Sequence, residues 1–436
     1  MWSKADSEVT CVVGIESHVT TCCRCPLPQR LTRGPVKAVS VTRRLFGTLC
    51  GLVFLVNFGR VAFPPLVETL QSDFTVGSGA IGIVMTLVWL GTAIPRIPVG
   101  YLLTRVSRRR VVLGAGSLLV VASAFTASAT SLLTLQIGAF GIGLASGAYF
   151  VSAVPLVGEL FPERVGRMVG IHGSASQIAA VVAAPAIVFI LSLEGTTWRE
   201  TFQALAVAAA VVTLLLYVVS RDGSASAGTG TDRNFSAALG HWKIILTGVL
   251  FIAPAGFVWQ GLFNFLVVYM DLGKGFTATE AGTMLTIVFA AGVPAFSLSG
   301  QLADKLPHVP YILGLLLAFI GSLVALTFAQ GFVAVAVVVA VLGYVVHSLF
   351  PALDTFMLSS LPNDARGSAY AVFSGTALLL EANGSGAVGL LKEAGYEFEM
   401  VYQTLAGGLL VVVVVLAALY AMNLLPGVRR GEETTV

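Results

Sequence analysis

Four charged residues stand out within long apolar runs of this 436-residue chain, namely Arg60, Arg96, Asp354 and Glu381. Such a residue is costly in an apolar run unless it faces water, a counter-charge or a ligand, so each is a candidate functional residue. An arginine binds carboxylate, phosphate or nitrate through two parallel hydrogen bonds. A carboxyl group in a low-dielectric cavity can be protonated near neutral pH. These residue types therefore indicate anion binding and proton exchange.

The two arginines belong to the N-terminal half of the chain. We predict that Arg60 faces a substrate, together with Asn57 three residues before it. The alternatives for Arg60 are a structural ion pair with an acid and extension toward the membrane surface. We also predict that Arg96 binds substrate. Because Arg96 lies only about six residues from the end of its apolar run, its alternative is to reach the polar surface.

The two acids belong to the C-terminal half. Glu381 stands near the centre of its apolar run, and we predict that it couples transport to protons. Its alternative is a fixed ion pair with Arg60 or Arg96. Asp354 is the second predicted coupling residue, and its position near the end of its run also fits a gate or a helix cap.

Three further side chains in one apolar run are predicted to hydrogen-bond to a ligand or to stack on it: Trp259, Gln260 and Asn264. His172 and His347 titrate near neutrality in water. A single histidine within an apolar helix is more often a packing residue, and we interpret both in that way.

The composition places most of the chain in lipid. Hydrophobic residues make up 56% and charged residues 11%, whereas ordinary soluble domains carry about 25% charged residues. The mean hydropathy is +0.89. The net charge of +3 is too small to indicate binding to nucleic acid, and the bilayer is the expected partner surface.

The apolar runs are long enough for transmembrane helices, which need about 20 residues each. Twelve spans are predicted at residues 45–67, 79–102, 110–129, 132–157, 166–192, 200–219, 243–270, 279–302, 309–329, 331–357, 367–391 and 399–424. If the N-terminus is cytoplasmic, the cytoplasmic loops and tails near the spans hold 16 lysine and arginine residues and the other side holds 3. Positive residues concentrate on the cytoplasmic side. The sequence therefore predicts a multi-pass protein of the cell membrane with both termini in the cytoplasm.

The two halves of the chain resemble each other. Three landmarks recur with an offset of about 200 residues, as GYLLTR at 100–105 and GQLADK at 300–305, FPERVG at 161–166 and LPNDARG at 361–367, and Phe-Thr at 74–75 and 276–277. Duplicated six-helix units with a binding site between them are typical of alternating-access transporters. The fold class predicted here is an all-α membrane protein with twelve transmembrane helices in two pseudo-symmetric six-helix bundles.

The domain organisation follows from the spans and from the polar segments between them. We predict a polar, disordered leader at 1–43, an N-terminal bundle at 44–219, a cytoplasmic linker at 220–242, a C-terminal bundle at 243–425 and a cytoplasmic tail at 426–436. A start codon later than Met1 is the alternative for the leader. Four of the five cysteines lie in this leader without the paired C-x-x-C spacing of a structural zinc site, so no metal is expected.

The first landmark resembles a signature of the major facilitator superfamily. Residues 100–110, GYLLTRVSRRR, look like the superfamily motif G-x-L-x-D-R-x-G-R-R between the second and third spans, with Thr104 in place of the usual Asp and Ser107 in place of Gly. Residues 300–305 look like its counterpart in the second half. The resemblance implies a cytoplasmic gate that includes Gly100, Arg105, Arg108, Arg109, Gly300, Asp304 and Lys305. The alternative is that these basic residues only anchor the topology.

The resemblance also implies a function. Members are secondary transporters that move a small molecule by alternating access, and the two buried arginines favour an anion, with protons as the coupling ion. A drug or cation exporter of the same superfamily is the first alternative; a membrane enzyme or a sensor is the second. The sequence has no Ser/His/Asp cluster, H-E-x-x-H motif or phosphate-binding loop, so we expect no enzymatic activity and no cofactor. We expect a monomer.

Overall fold

The computed structural model describes residues 35–103, 105–161, 165–221, 239–303, 305–361, 366–426 and 428. Within these ranges the chain is helical and contains no β-strand. The helices are α1 (Pro35–Val61), α2 (Val67–Phe74), α3 (Ser78–Ala93), α4 (Arg96–Leu102), α5 (Arg108–Ala127), α6 (Leu132–Leu160), α7 (Val165–Leu191), α8 (Trp198–Arg221), α9 (Trp242–Val268), α10 (Ala278–Ala303), α11 (His308–Phe328), α12 (Phe332–Ser360), α13 (Arg366–Glu381), α14 (Gly384–Glu393) and α15 (Phe398–Ala421).

These helices correspond to the twelve predicted spans, and the all-α membrane fold is confirmed. Eleven helical stretches within the described ranges are long and apolar enough to cross a membrane. The predicted span at 367–391 is divided into α13 and α14, which together form the remaining crossing. Because the number of crossings is even, the membrane-spanning part of the chain begins and ends at the same face of the molecule, which we name the terminal face. The face on the other side of the membrane is the opposite face.

Two of the spans are interrupted within the bundle. The second span breaks at Ile94-Pro95, between α3 and α4, because proline lacks the N–H that would continue the helix. The eleventh span breaks at Ala382-Asn383. Arg96 is the first residue after one break and Glu381 the last before the other. Broken helices in a membrane bundle are tolerated where they are enclosed by protein or line a wet cavity.

Polar residues at the opposite face define where several spans begin. The Ser131 hydroxyl accepts from Thr134 N at 3.3 Å, and Thr134 Oγ1 accepts from Ser131 N at 3.1 Å. At α10, Thr277 N donates to Glu280 Oε2 at 2.9 Å, and Thr277 Oγ1 accepts from Glu280 N at 3.3 Å. Both are reciprocal caps that satisfy N–H groups left free at a helix start.

The two six-helix bundles pack against each other mainly through α3 with α14 and α7 with α10. Glycines permit the close approach of α3 and α14. A Cβ atom on Gly82 would lie 2.6 Å from the carbonyl oxygen of Ser385, and one on Gly389 would lie 2.5 Å from that of Ser78. Small residues at such contacts let two helix backbones approach closely.

Hydrogen bonds between the bundles lie in the part of the molecule nearer the opposite face. Gly79 N donates to Glu393 Oε2 at 3.1 Å, and Gly386 N donates to Thr86 Oγ1 at 2.9 Å. The bundles are therefore held together at this end.

The predicted domain boundaries remain predictions. Helix α8 ends at Arg221 and α9 begins at Trp242, which brackets the predicted linker, and residues 222–238 lie outside the described residues. Helix α1 begins at Pro35, ahead of the predicted first span, although its apolar part begins at Val41. Most of the predicted leader also lies outside the described residues.

Candidate functional site

Arg60 lies in α1 within an aromatic surround. Its Cζ is 4.7 Å from the centroid of the Trp89 ring and 4.9 Å from that of the Phe150 ring. Within the part of the chain that the structure describes, no carboxylate lies within ion-pair distance of Arg60. The predicted alternative of a structural ion pair is therefore not the arrangement found.

Asn57 fixes the orientation of the Arg60 guanidinium. Arg60 Nε donates to Asn57 Oδ1 at 3.2 Å, and Arg60 Nη2 donates to the same oxygen. Asn57 Nδ2 in turn donates to the backbone oxygen of Ser176 at 2.7 Å. The two residues that were predicted to act together are thus in direct contact, and both belong to the N-terminal bundle.

Arg96 is turned toward the C-terminal bundle. It interacts electrostatically with Glu381, Asp354 and Tyr370, and its Cβ is 3.9 Å from the position that a Cβ on Gly375 would take. Its Nε atom is buried and has no hydrogen-bond partner. The structure therefore brings Arg96 together with both acids proposed as coupling residues, across the boundary between the bundles.

Glu381 is 6% exposed and packs on the glycine of another helix. A Cβ atom on Gly256 of α9 would overlap the carboxylate arm of Glu381. Because Gly256 has no side chain, the Glu381 carboxylate occupies the space next to its Cα.

Asp354 has a partner on the neighbouring span. Tyr370 Oη donates to Asp354 Oδ1 at 2.6 Å. This bond joins α12 to α13 on the side of the molecule nearer the terminal face. Asp354 is therefore a hydrogen-bonded acid that faces Arg96.

The three predicted ligand residues on α9 are all buried, and two of them are already hydrogen-bonded. Asn264 Nδ2 donates to Gln260 Oε1 at 3.2 Å and to Ser385 Oγ at 2.7 Å. This network joins α9 to α14. Trp259 stacks on Phe263 with ring centroids 5.2 Å apart. Of the three, Trp259 belongs to an aromatic group, whereas Gln260 and Asn264 belong to the packing between two spans.

Both histidines have the surroundings of packing residues. His172 Nε2 lies 2.9 Å from Tyr149 Oη, and Tyr149 Oη donates to Leu49 O at 2.7 Å. His347 Nδ1 lies 2.7 Å from the backbone oxygen of Gly343, among the rings of Trp259 and its neighbours. Their contacts agree with the interpretation made from the sequence.

The predicted gate lies at the terminal face. Arg108 forms an ion pair with Glu159, joining α5 to α6, and Arg105 Nη2 donates to Tyr101 Oη at 2.5 Å. Both contacts lie within the N-terminal bundle. The rest of the predicted gate comprises Gly100, which is buried, Arg109, which is half-buried, Lys305, which is exposed, Gly300 in α10, and Asp304, which lies outside the described residues.

The two gate loops have the same backbone turn. Leu102 O accepts from Arg105 N at 2.9 Å and from Val106 N at 2.8 Å, and Leu302 O accepts from Lys305 N at 3.0 Å and from Leu306 N at 2.9 Å. The repeated sequence landmark therefore forms a repeated local structure.

Sequence reasoning missed the rings that surround Arg60. Trp89 and Phe150 lie 29 and 90 residues after Arg60, and an aromatic residue in a membrane span is too common to single out. It also missed Tyr370 and Glu393. A sequence signal existed for Glu393, because an acid at the end of a span stands out.

Comparisons with known proteins agree with this fold. The family model described as Major Facilitator Superfamily matches residues 49–381. A probable sulfoacetate transporter of Cupriavidus necator is 23% identical over 83% of this chain and 88% of its own length. A probable sugar efflux transporter of Helicobacter acinonychis is 23% identical over 79% of this chain and 87% of its own.

Among solved structures, a bacterial homologue of the human lysosomal transporter Spinster, in an inward-facing and unoccupied conformation, has the same fold. Its TM-score is 0.68 at 15% identity, with 89% of this chain and 97% of that chain covered. The chain belongs to the Major Facilitator Superfamily, and it is a transporter rather than an enzyme.

Proposed function

We propose that this membrane transporter of the superfamily moves a small anion, by alternating access between its two bundles, and that the anion binds at Arg60. Arg96 is the second anion-binding residue. Asn57 holds Arg60 in its binding orientation, and Trp259 contributes an aromatic wall on the other bundle. Gln260 and Asn264 act by packing α9 against α14.

The observation that carries the proposal is the environment of Arg60. Its guanidinium lies in a membrane span beside two aromatic rings and an amide, with no carboxylate at ion-pair distance in the described residues. A guanidinium remains charged at any physiological pH. Arg60 is half-buried, and a charge within a membrane span is unfavourable without a counter-charge or water, so an anionic ligand is the partner that this site lacks.

The similar proteins support transport but differ in substrate. One is named for sulfoacetate, which is an organic anion, and one for sugars, which are neutral. Similarity alone therefore does not choose an anion, and the proposal depends on Arg60.

Glu381 and Asp354 are the proposed proton-coupling residues. Both interact electrostatically with Arg96, so an anion that occupies Arg96 weakens its attraction to these acids. A carboxylate released in this way can take a proton. This order of events couples anion binding to proton uptake.

The proposed location is the cell membrane, with both termini and the gate loops in the cytoplasm. The distribution of 16 lysines and arginines against 3 supports this orientation. In the gate, Arg105, Arg108 and Arg109 are proposed to act with Gly100, and Lys305 and Asp304 with Gly300.

Arg60→Gln tests the proposal. The substitution keeps a hydrogen-bonding side chain of similar shape but removes the charge. In proteoliposomes, we expect it to reduce uptake of sulfoacetate and of other small carboxylates at least about tenfold, because a hydrogen bond to a charged group contributes about 1.5–3 kcal/mol. Arg221→Gln is the control, because Arg221 is exposed at the end of α8.

The same variant tests the alternative of a cation or drug exporter. Glu381 and Asp354 would then bind the cation, and removal of Arg60 would leave efflux of a cationic dye unchanged. Retained dye efflux in Arg60→Gln, together with no anion uptake by the unaltered protein, would replace our proposal with that alternative.

A further inference from the structure

The Arg60 guanidinium offers one edge to a ligand. Asn57 Oδ1 accepts from both Nε and Nη2, and Asn57 is itself fixed to Ser176 O. A guanidinium carries five N–H donors in a planar fork, so the donors that remain lie along the Nη1–Nη2 edge. The rings of Trp89 and Phe150 pack against the group. An acceptor therefore reaches it in its own plane, which suits a planar, two-oxygen anion.

Trp89, whose ring packs against the Arg60 guanidinium, provides a second donor without an acceptor. Its Nε1 atom is buried and has no hydrogen-bond partner, while its ring centroid is 4.7 Å from Arg60 Cζ. Buried N–H groups are almost always hydrogen-bonded. Two neighbouring donors that both lack an acceptor indicate a ligand group with two acceptor oxygens.

Beyond these donors the surroundings are apolar rings that extend into the other bundle. The centroids of Trp89 and Phe263 are 5.9 Å apart, those of Phe263 and Trp259 are 5.2 Å apart, and those of Trp259 and Phe289 are 6.2 Å apart. Trp89 thus contacts Arg60 in its own bundle and Phe263 in the C-terminal bundle. Phe263 and Trp259 are themselves buried, at 1% and 5% exposure, so the aromatic surface that a group next to Arg60 reaches is that of the half-buried Trp89 and Phe150.

The site next to Arg60 has few hydrogen-bond donors and several aromatic rings, and this composition favours some classes of anion over others. A compact inorganic anion such as nitrate has no apolar surface, so it gains nothing from burial against aromatic rings. An organic acid needs donors only for its carboxylate. Its carbon body gains free energy from the burial of apolar area.

We propose that the Arg60–Trp89 pair binds the carboxylate of an amphipathic organic acid, whose apolar body packs on the half-buried rings of Trp89 and Phe150. This inference rests on the proposed function and narrows its substrate class. One carboxylate oxygen accepts from the free edge of Arg60 and the other from Trp89 Nε1. Trp89 in turn contacts Phe263 of the C-terminal bundle, so the bound acid is linked to that bundle through Trp89.

Calorimetric titration of the purified full chain in detergent tests the inference with four probes: phenylacetate, acetate, nitrate and phenylacetamide. We expect phenylacetate to bind at least about tenfold more tightly than acetate or nitrate. Acetate has the same head group without the ring, and nitrate has the oxygens without a carbon body. Phenylacetamide keeps the ring without the charge, and we expect no binding. This comparison needs no altered protein.

Trp89→Phe tests the donor. It keeps an aromatic ring but removes Nε1–H, and we expect the affinity for phenylacetate to fall about tenfold, the effect of about one lost hydrogen bond to a charged group. Trp242→Phe is the matched control, since Trp242 is 54% exposed at the start of α9, and its affinity should be unaltered. The thermal midpoint of each variant establishes that it is folded.

The outcomes separate this inference from the proposed function. If nitrate or acetate binds as tightly as phenylacetate and Trp89→Phe changes nothing, while Arg60→Gln still abolishes binding, the inference is overturned and the anion site stands. If phenylacetate binds equally well to Arg60→Gln, both are overturned. If none of the probes binds to the unaltered protein, the inference is overturned as well.

Discussion

At the scale of residues, the charges within the membrane spans are divided between the bundles. Arg60 and Arg96 belong to the N-terminal bundle, and the two acids that interact with Arg96 belong to the C-terminal bundle. An attraction across this boundary favours arrangements in which the bundles are close together at that depth. A ligand that competes for Arg96 shifts the balance between two arrangements, because its affinity for them differs.

Glu381→Gln is expected to uncouple transport from protons. The amide has the size of the carboxyl group but cannot exchange a proton, so a pH gradient should no longer accelerate uptake, while binding at Arg60 persists. The measurement is uptake of phenylacetate or sulfoacetate into proteoliposomes, with and without an imposed gradient. Glu397→Gln is the control, because the Glu397 side chain is 76% exposed. An equal response to the gradient in Glu381→Gln and in the unaltered protein would remove Glu381 from the coupling mechanism.

At the scale of elements, the start of α3 is capped by the other bundle. Gly77, which precedes α3, has no side chain to cap it, and Glu393 of α14 accepts from Gly79 N at 3.1 Å instead. A carboxylate at a helix N-terminus is favourable because it satisfies a free N–H and opposes the positive end of the helix dipole. This contact is available only while α3 and α14 are together at the opposite face.

Glu393→Ala is therefore expected to favour opening at the opposite face. Loss of such a cap costs about 0.5–2 kcal/mol, which corresponds to about a twofold to thirtyfold change in the ratio of closed to open molecules. Spin labels on cysteines introduced at Ser131 and Gln330, in a background without native cysteines, would report the distance between the bundles. We expect a larger population at long distance.

Glu397→Ala provides the comparison for that measurement, because Glu397 pairs with Lys392 of the same bundle at 3.1 Å. Its distance distribution should match that of the unaltered protein. Identical distributions for Glu393→Ala and Glu397→Ala would show that the cap does not influence the opening.

At the scale of the whole molecule, the two bundles enclose a pocket of about 270 Å³ near the opposite face. Glu68 of α2 and Asp271, just after α9, both line it, with Pro64 and Pro65 from the N-terminal bundle. Partial loss of hydration and the neighbouring Asp271 carboxylate raise the pKa of Glu68, whose side chain remains in part exposed. Two acids from different bundles therefore meet where the molecule is closed.

The closed arrangement is expected to strengthen as the pH falls. A carboxyl group whose pKa is raised in one state binds its proton more tightly in that state, so protonation stabilises that state relative to the open one. This stabilisation of the closed state should grow as the pH falls from neutrality toward the ordinary glutamate pKa of about 4.3. It should disappear as the pH rises and Glu68 loses its proton. The spin-label distances between positions 131 and 330, measured from pH 7.5 to 5, would show the shift.

Glu68→Gln should reduce this pH dependence, because the amide is neutral throughout and keeps a hydrogen-bond donor for Asp271. Glu194→Gln, at an exposed loop residue of the same face, is the matched control. An unchanged pH dependence in Glu68→Gln would assign the titration to other groups.

Much of the fold could be predicted from apolar length. A run of about 20 apolar residues has few ways to satisfy its backbone in lipid other than a helix, which is why most spans were found to within a few residues. The first was not, because its helix ends at Val61 whereas the apolar run was predicted to continue to residue 67.

Neither break within a span was predicted. Proline alone does not mark a break, because Pro155, Pro185 and Pro254 lie inside continuous helices, and no proline stands at Ala382-Asn383. The latter break lies where Gly384 packs closely on the backbone of α9, and such packing depends on two distant segments.

The candidate site, like the fold, could be predicted from the sequence only in part. The sequence by itself determined that charged groups must lie inside the bundle, because their cost in lipid is a property of each residue and its neighbours in the chain. Only the tertiary structure decided that Arg60 lies beside Trp89 and Phe150 without a carboxylate, that Arg96 faces Glu381 and Asp354, and that Gln260 and Asn264 bond to each other. The physical reason is that a side chain's partners are set by the rotation and register of packed helices, which the pattern of one helix does not contain.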